Sequence, residues 1–214
     1  MSKFIRLIAA TLLTAAAASS HAGYTHTTQG VSFTYEGVDA NTFTLRIQNA
    51  LDATGNWATA THLGYLGFKG LGNLNAVTAV NVNVTPAPGS SILWTYVHGE
   101  LTGAGCNSNA NSNSICLDAT PDLLLTNDLL FTIDLLGNGV DISNATAPLL
   151  KASFTVWQDA TRNKPAGYTT AGSLLEQTLA PTAVDNGRLP EPASLALACL
   201  ALAGATAARR RIRG

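Results

Sequence analysis

The sequence predicts an all-β protein: a two-sheet antiparallel β-sandwich of jelly-roll type, with one additional helix at each end of the chain. Apolar and polar residues alternate in short runs along the body, which is typical of strands with one buried face. Clusters rich in Gly, Asn and Pro separate these runs, and helical periodicity is nearly absent between them. Half-buried strands at this spacing favour two packed sheets.

Five runs of strict alternation and two less regular apolar runs are the predicted strands. The regular runs are Val31–Tyr35, Phe43–Ile47, Val80–Val84, Leu129–Leu135 and Leu150–Val156, and the less regular ones are Leu63–Phe68 and Ile92–Val97. The stretch Leu174–Leu179 fits either a short final strand or a helical turn. About 160 residues suit one domain. We therefore expect the sandwich to span residues 23–181, followed by a linker at 182–189.

The N-terminus has the features of a secretory signal peptide. Lys3 and Arg6 form a positively charged start, and an apolar run follows from Leu7 to Ala18. Ser20-His21-Ala22 places small residues at the two positions that a signal peptidase reads. We therefore expect residues 1–22 to form a signal helix that is removed before Gly23. The shortness of the apolar run argues against the alternative, an N-terminal transmembrane helix.

The C-terminus consists of three segments in a fixed order. Pro190-Glu191-Pro192 precedes an uncharged apolar run, Ala193–Ala208, and the chain then ends in a cluster of arginines. These are Arg209, Arg210, Arg211 and Arg213. A helix over the apolar run would be about 24 Å long, slightly less than the roughly 30 Å hydrocarbon core of a bilayer. The order predicts a transmembrane helix at 193–208 and a basic tail at 209–213 that stays in the cytoplasm.

This C-terminal arrangement resembles the PEP-CTERM sorting signal of Gram-negative bacteria. The resemblance covers residues 190–214 and implies a temporary inner-membrane anchor that the membrane protease exosortase cuts near Pro190-Glu191-Pro192. It also implies delivery to the cell surface or to extracellular polysaccharide. The alternative is an ordinary membrane anchor without processing, which has no need of a Pro-Glu-Pro sequence at the boundary.

The charge of the expected mature body argues against nucleic-acid binding. Residues 23–188 contain six basic and twelve acidic side chains, so their formal net charge is −6. An acidic body without a basic stripe does not attract phosphate backbones. We therefore expect no nucleic-acid partner.

Cys106 and Cys116 are the two cysteines of the body, and they bracket a polar loop rich in Asn and Ser. Because export leads to an oxidising compartment, we expect a disulfide between them. A metal site is the competing interpretation, although two cysteines without nearby histidines make a poor zinc set.

No catalytic or cofactor-binding residue can be assigned from the sequence. The histidines of the body are His26, His62 and His98, and none belongs to a zinc-binding pattern. A nucleophile elbow and a phosphate-binding loop are also missing from the sequence. We therefore expect a protein that is not an enzyme, while a Ser-His-Asp triad assembled from distant residues stays open.

Three further residues are weaker site candidates. Asp134 and Asp141 flank Gly137-Asn138-Gly139, where they could share a Ca²⁺ ion, although turn and solvent-face acids are the simpler interpretation. Trp157 has the parity of the polar residues of its strand. It should therefore point outward, where a tryptophan can stack on a sugar ring. A covering loop or a bulge in the strand is the alternative.

The function expected from these observations is that of a non-enzymatic, exported surface or matrix protein sorted by exosortase and associated with exopolysaccharide or a biofilm. A carbohydrate-binding module and a secreted hydrolase on a sandwich scaffold are the alternatives. The fold alone cannot choose among them, because sandwiches host many functions.

Overall fold

In the computed structural model the described residues are 23–108, 113–146, 148–162 and 164–181. The strands are β1 (Gly23–Thr28), β2 (Val31–Gly37), β3 (Thr42–Gln48), β4 (His62–Lys69), β5 (Ala79–Thr85), β6 (Leu93–His98), β7 (Glu100–Thr102), β8 (Gly105–Asn107), β9 (Ser114–Leu124), β10 (Asp128–Leu136), β11 (Leu149–Gln158), β12 (Gly167–Thr178) and β13 (Ala180–Pro181). Short 3-10 helices lie at Ala50–Asp52, Gly55–Trp57 and Leu74–Ala76. The predicted signal helix, linker, transmembrane helix and basic tail lie outside the described residues.

Two large sheets confirm the all-β, antiparallel part of the prediction. One sheet has six strands in the order β13-β1-β2-β3-β10-β5, and the other has five in the order β12-β11-β4-β9-β6. Strands β7 and β8 form a separate hairpin. Neighbouring strands among β1 to β12 pair antiparallel in the part of the chain that the structure describes.

The first three strands form a meander within the six-stranded sheet, which differs from the connections of a jelly roll. The cause is the turn between β1 and β2. Gln29 and Gly30 both have positive φ, at 49° and 83°, and Thr28 pairs directly with Val31. This two-residue turn matches the right-handed twist of the strands and therefore favours a hairpin. The jelly-roll detail of the prediction does not describe this half of the sheet.

The core consists of the inward faces of the two sheets. Phe33 and Phe43 project from the six-stranded sheet and meet Phe154 and Phe68 of the five-stranded sheet, with ring centroids 6.2 Å and 4.9 Å apart. Trp57, on a 3-10 helix, is 2% exposed and packs 4.8 Å from Phe154. Each of these side chains buries a large apolar surface, so this aromatic layer adds to the aliphatic side chains that fill the space between the sheets.

All seven predicted strands are present, and the Leu174–Leu179 stretch belongs largely to β12 rather than to a helical turn. The sequence did not predict β1, β7, β8 or β9. Strand β9 was not predicted because its residues Ile115, Cys116 and Leu117 are all fully buried and therefore do not alternate with polar residues. A strand that is covered on both faces has a continuous apolar sequence, which the alternation pattern does not detect.

Gly172 allows the buried indole ring of Trp57 to lie directly on β12. A Cβ atom at Gly172 would come within 2.2 Å of Trp57 Cδ1, a distance that the rigid, buried ring cannot accommodate. Gly167 on the same strand has open space within 4 Å. It therefore provides a matched control for the effect of a methyl group on β12.

We expect Gly172→Ala to lower the free energy of unfolding by about 1–3 kcal/mol, the usual cost of overpacking a core. Gly167→Ala should leave it within about 0.5 kcal/mol, as surface substitutions do. Urea denaturation of the full chain, followed by tryptophan fluorescence, measures both. Equal stability of the two variants would contradict the packing described for Trp57.

Candidate functional site

The outer face of the five-stranded sheet, which points away from the core, is covered at one end by the β7–β8 hairpin. Leu101 of this covering hairpin is only 6% exposed. It lies against Gly67 of β4, where a Cβ atom would come within 2.8 Å of Leu101 Cβ. Because Gly67 has no side chain, Leu101 can pack directly against the backbone of β4. Gly105, at the other end of the hairpin, lies similarly close to the ring of Tyr65.

A disulfide joins the covering hairpin to the sheet beneath it. Cys106 of β8 and Cys116 of β9 are bonded at an S–S distance of 2.06 Å, with their Cα atoms 5.6 Å apart. This confirms the predicted disulfide, and both sulfurs are thereby removed from the competing metal interpretation. Between the cysteines, Asn113 Oδ1 accepts hydrogen bonds from the backbone N–H groups of Leu74 (2.7 Å) and Asn75 (3.1 Å). The disulfide loop is thus also tied to the 3-10 helix before β5.

An ion cluster holds the base of the covering hairpin. Glu100 Oε1 accepts hydrogen bonds from Lys69 Nζ at 2.8 Å and from Lys151 Nζ. Lys151 also donates to the carbonyl oxygen of Leu101 at 3.2 Å. The Lys151 and Lys69 ammonium groups hold the pKa of Glu100 below its usual value of 4.5. The hairpin is thus held by one covalent bond, one buried leucine and one carboxylate shared by two lysines.

The other end of the outer face is uncovered and carries a row of three aromatic side chains, His62, Tyr168 and Trp157. Trp157 of β11 pairs in register with Tyr168 of β12, and their ring centroids lie 4.9 Å apart at an interplanar angle of 73°. The Tyr168 ring also contacts His62 of β4 at 4.9 Å, across the intervening strand β11. We call these three side chains the aromatic row.

Trp157 is the most exposed member of the aromatic row, with 46% of its surface accessible. Its indole Nε1–H donates a hydrogen bond to Asp159 Oδ1 at 3.0 Å. This bond and the Tyr168 contact orient the indole while leaving part of its surface open. The outward direction predicted from the parity of Trp157 is confirmed, although the register of β11 with β12 shifts between Phe154 and Thr155.

Two acidic residues of β9, Asp118 and Asp122, interact with each other, and Asp122 also acts on His62 of the aromatic row. Asp122 Oδ2 accepts a hydrogen bond from the buried hydroxyl of Thr155, the residue that pairs with His62. Burial, and then the negative charge of Asp122, raise the pKa of Asp118. Burial lowers the pKa of His62, and Asp122 acts in the opposite direction. The imidazole therefore favours its neutral form more than a free histidine does.

The structure places the two acids of the predicted calcium site on different elements. Asp134 lies within β10, where it pairs with Thr42 and Asn81. Asp141 lies in the following loop, and its Oδ1 atom accepts hydrogen bonds from the backbone N–H (3.0 Å) and the hydroxyl (2.6 Å) of Ser143. Within residues 23–108, 113–146, 148–162 and 164–181, no group of three or more His, Cys, Asp or Glu side chains is arranged to hold a metal ion.

Sequence reasoning found Trp157 but missed its neighbours. Tyr168, Asp118 and Asp122 lie on strands or parts of strands that the sequence did not predict. The proximity of His62 to Tyr168 depends on the order of β12, β11 and β4. One signal in the sequence indicates the strand around Tyr168. The polar, β-branched residues Thr169 and Thr170 follow this residue, which is typical of a strand with a solvent-facing side.

Residues 189–211 match the family described as the PEP-CTERM protein-sorting motif. The chain carries a PEP-CTERM sorting motif. The motif implies processing by exosortase and an exported, membrane-anchored precursor in a Gram-negative cell. No curated protein and no solved structure matches the chain.

The residues of the motif, including Pro190, Glu191 and Pro192 and the arginines Arg209, Arg210, Arg211 and Arg213, lie outside the described residues. In the part of the chain that the structure describes, no helix is long and apolar enough to cross a membrane.

We expect Glu100→Gln to lower the free energy of unfolding by about 1 kcal/mol at pH 7, a typical value for a surface ion-pair network. A carboxyl group whose pKa is lower in the folded than in the unfolded protein stabilises the folded state at pH values above its unfolded pKa. This stabilisation is lost as the pH falls through the folded pKa. The difference between Glu100→Gln and the wild type should therefore shrink below about pH 4.5.

Urea denaturation at a series of pH values between 3 and 7 measures this difference. Lys151→Gln serves as the matched variant, because it removes the other side of the same ion pair and should show the same pH trend. A stability difference that stays constant over the whole range would contradict the role assigned to the Glu100 cluster.

Proposed function

We propose that this chain is a non-enzymatic surface or matrix protein that associates with exopolysaccharide through the aromatic row on the outer face of its five-stranded sheet. The PEP-CTERM motif supports the export of the body to a place where polysaccharide is present. The observation that carries the proposal is the paired and partly exposed indole of Trp157, which lies beside Tyr168 on an open sheet face.

An exposed indole suits a sugar ring because its flat apolar surface matches the C–H face of a pyranose. Leaving such a surface in water is unfavourable by roughly 25 cal/mol per Å² of apolar area. The Trp157 ring is already held by Asp159 and Tyr168, so binding would order few additional degrees of freedom. Preorganisation of this kind lowers the entropic cost of binding.

The polar groups at the edge of the aromatic row suit sugar hydroxyls. Asp159 provides carboxylate oxygens next to the indole, and His62 provides a ring nitrogen next to the phenol of Tyr168. Ligand sites typically combine an apolar surface with a few directed polar groups of this kind. The open sheet surface, rather than a deep cavity, is suited to an extended polymer that lies across the strands.

We expect Trp157→Ala to weaken glycan binding at least tenfold, which corresponds to about 1.4 kcal/mol. Binding is measured with an oligosaccharide array and by pull-down on insoluble cellulose and chitin, using the full chain in a detergent without a sugar headgroup. Leu175→Ala is the matched control, because Leu175 is 67% exposed on the same sheet and is not part of the aromatic row. Equal binding by Trp157→Ala and the wild type would contradict the proposal.

A secreted hydrolase is the second candidate function, and the carboxylate pair of Asp118 and Asp122 favours it. Two neighbouring carboxyl groups, one with a raised pKa, are what glycoside hydrolysis requires. Release of reducing sugar ends in the same binding assay distinguishes the two functions. Release that is abolished by Asp118→Asn would favour the hydrolase, whereas binding without release favours the matrix role.

We expect the C-terminal segment to be removed only in cells that contain exosortase. Intact-mass spectrometry of the exported protein should then show a C-terminus near Pro190, Glu191 and Pro192, and deletion of exosortase should leave the arginine tail on the chain. The N-terminal mass in both strains reports cleavage before Gly23. An identical C-terminus in the two strains would contradict processing by exosortase.

A further inference from the structure

Strand β5 forms an open edge of the six-stranded sheet. It pairs with β10 on one side and is the last strand in the order of that sheet. Its seven residues, Ala79–Thr85, contain no charged residue and no proline. The register with β10 runs without a shift from Ala79 opposite Leu136 to Thr85 opposite Leu130. A straight, uncharged edge of this length can accept another strand.

Other sheet edges in the described residues are arranged differently. Strand β12 meets β11 with two register shifts, and β1 is flanked by the short strand β13. Bulges and covering segments of this kind protect an edge from further pairing. Strand β6 also pairs without a shift, but its sequence, Leu93–His98, has no internal symmetry.

The sequence of β5 is symmetric about Val82. Val80-Asn81-Val82-Asn83-Val84 reads the same in both directions. In an antiparallel pair of two such strands, Val82 would face its own copy, Asn81 would face Asn83, and Val80 would face Val84. In a two-fold interface residue i contacts residue j and j contacts i. The symmetry of β5 therefore places like residues opposite each other at all five positions.

The two faces of β5 are suited to this pairing. Asn81 and Asn83 are exposed on the outer face of the sheet, where each amide offers both a donor and an acceptor to its partner. Val80 and Val82 are only partly buried and pack against the core. A second β5 would cover the remaining apolar surface of these valines and would pair with the backbone groups on the side of β5 that faces away from β10.

We propose that β5 is an interaction surface for a second copy of this chain, so that two six-stranded sheets join through antiparallel β5 strands into one continuous sheet. Among the β10 residues that pair with β5, the charged one is Asp134, which lies opposite Asn81. Three strand spacings of about 4.8 Å would separate the two copies of β10. The two Asp134 carboxylates would then be at least about 14 Å apart, beyond the Debye length of about 8 Å at physiological ionic strength.

Two double variants test both the surface and its register. Asn81→Lys with Asn83→Lys places ammonium groups opposite each other at both outer positions of the proposed pair. Asn81→Lys with Asn83→Asp instead places a carboxylate opposite an ammonium group twice, and both variants then carry the same lysine opposite Asp134 of β10. Both variants change only exposed side chains, so the sandwich should fold normally, and circular dichroism checks this.

Sedimentation equilibrium of the full chain in detergent measures the dimer dissociation constant. We expect the wild type to dimerise, the double-lysine variant to dimerise at least tenfold more weakly, and the Asp–Lys variant to return to within about threefold of the wild type. A monomeric wild type would overturn the proposal. It would also be overturned if the three proteins have equal dissociation constants or if the Asp–Lys variant is as weak as the double-lysine variant.

Oxidative cross-linking provides an independent readout of the same contact. In a chain whose third cysteine is replaced by Cys199→Ser, Val82→Cys places a thiol on the proposed two-fold axis, so oxidation should give a covalent dimer. Thr44→Cys, on the interior strand β3 of the same sheet, is the control and should remain monomeric under the same conditions. Equal cross-linking of the two variants would contradict pairing through β5.

Discussion

The packing of the covering hairpin on Gly67 determines which part of the outer face of the five-stranded sheet is exposed. The outer face of a sandwich sheet is either polar or covered, and here β7 and β8 cover one end. This hairpin buries little apolar surface of its own beyond Leu101. Its position therefore relies on the Cys106–Cys116 disulfide and on the Glu100 ion cluster. A disulfide persists in an oxidising compartment, so this part of the structure is suited to the export that the sorting motif implies.

The covering hairpin also makes the two ends of the same sheet face chemically different. At the covered end, the surface next to Gly67 is occupied by Leu101 and the surface next to Tyr65 by the hairpin backbone. At the uncovered end, His62, Tyr168 and Trp157 form a continuous row of rings. A ligand that approaches the uncovered end meets this row of rings, so the proposed glycan contact would lie on β11, β12 and the start of β4.

The sequence was sufficient for features that depend on local pattern. Alternation predicted seven strands, parity predicted that Trp157 points outward, and the polar loop between Cys106 and Cys116 predicted their pairing. Features that depend on register were not predictable. The start of strand β9, Ser114–Leu117, is buried on both faces and lacks alternation. The contact between Tyr168 and His62 spans a strand whose register shifts near Thr155. The meander of β1 to β3 follows from a positive-φ turn at Gln29, a residue type with no special preference for that conformation.

Hydrogen–deuterium exchange of the exported protein, with and without its own purified exopolysaccharide, tests the central claim most directly. The account predicts that the polysaccharide slows exchange at the ends of β11 and β12 around Trp157 and Tyr168. It also predicts unchanged exchange in the covering hairpin and in the six-stranded sheet. Slowed exchange confined to the six-stranded sheet, or no change anywhere in the chain, would contradict the assignment of the aromatic row as the contact surface.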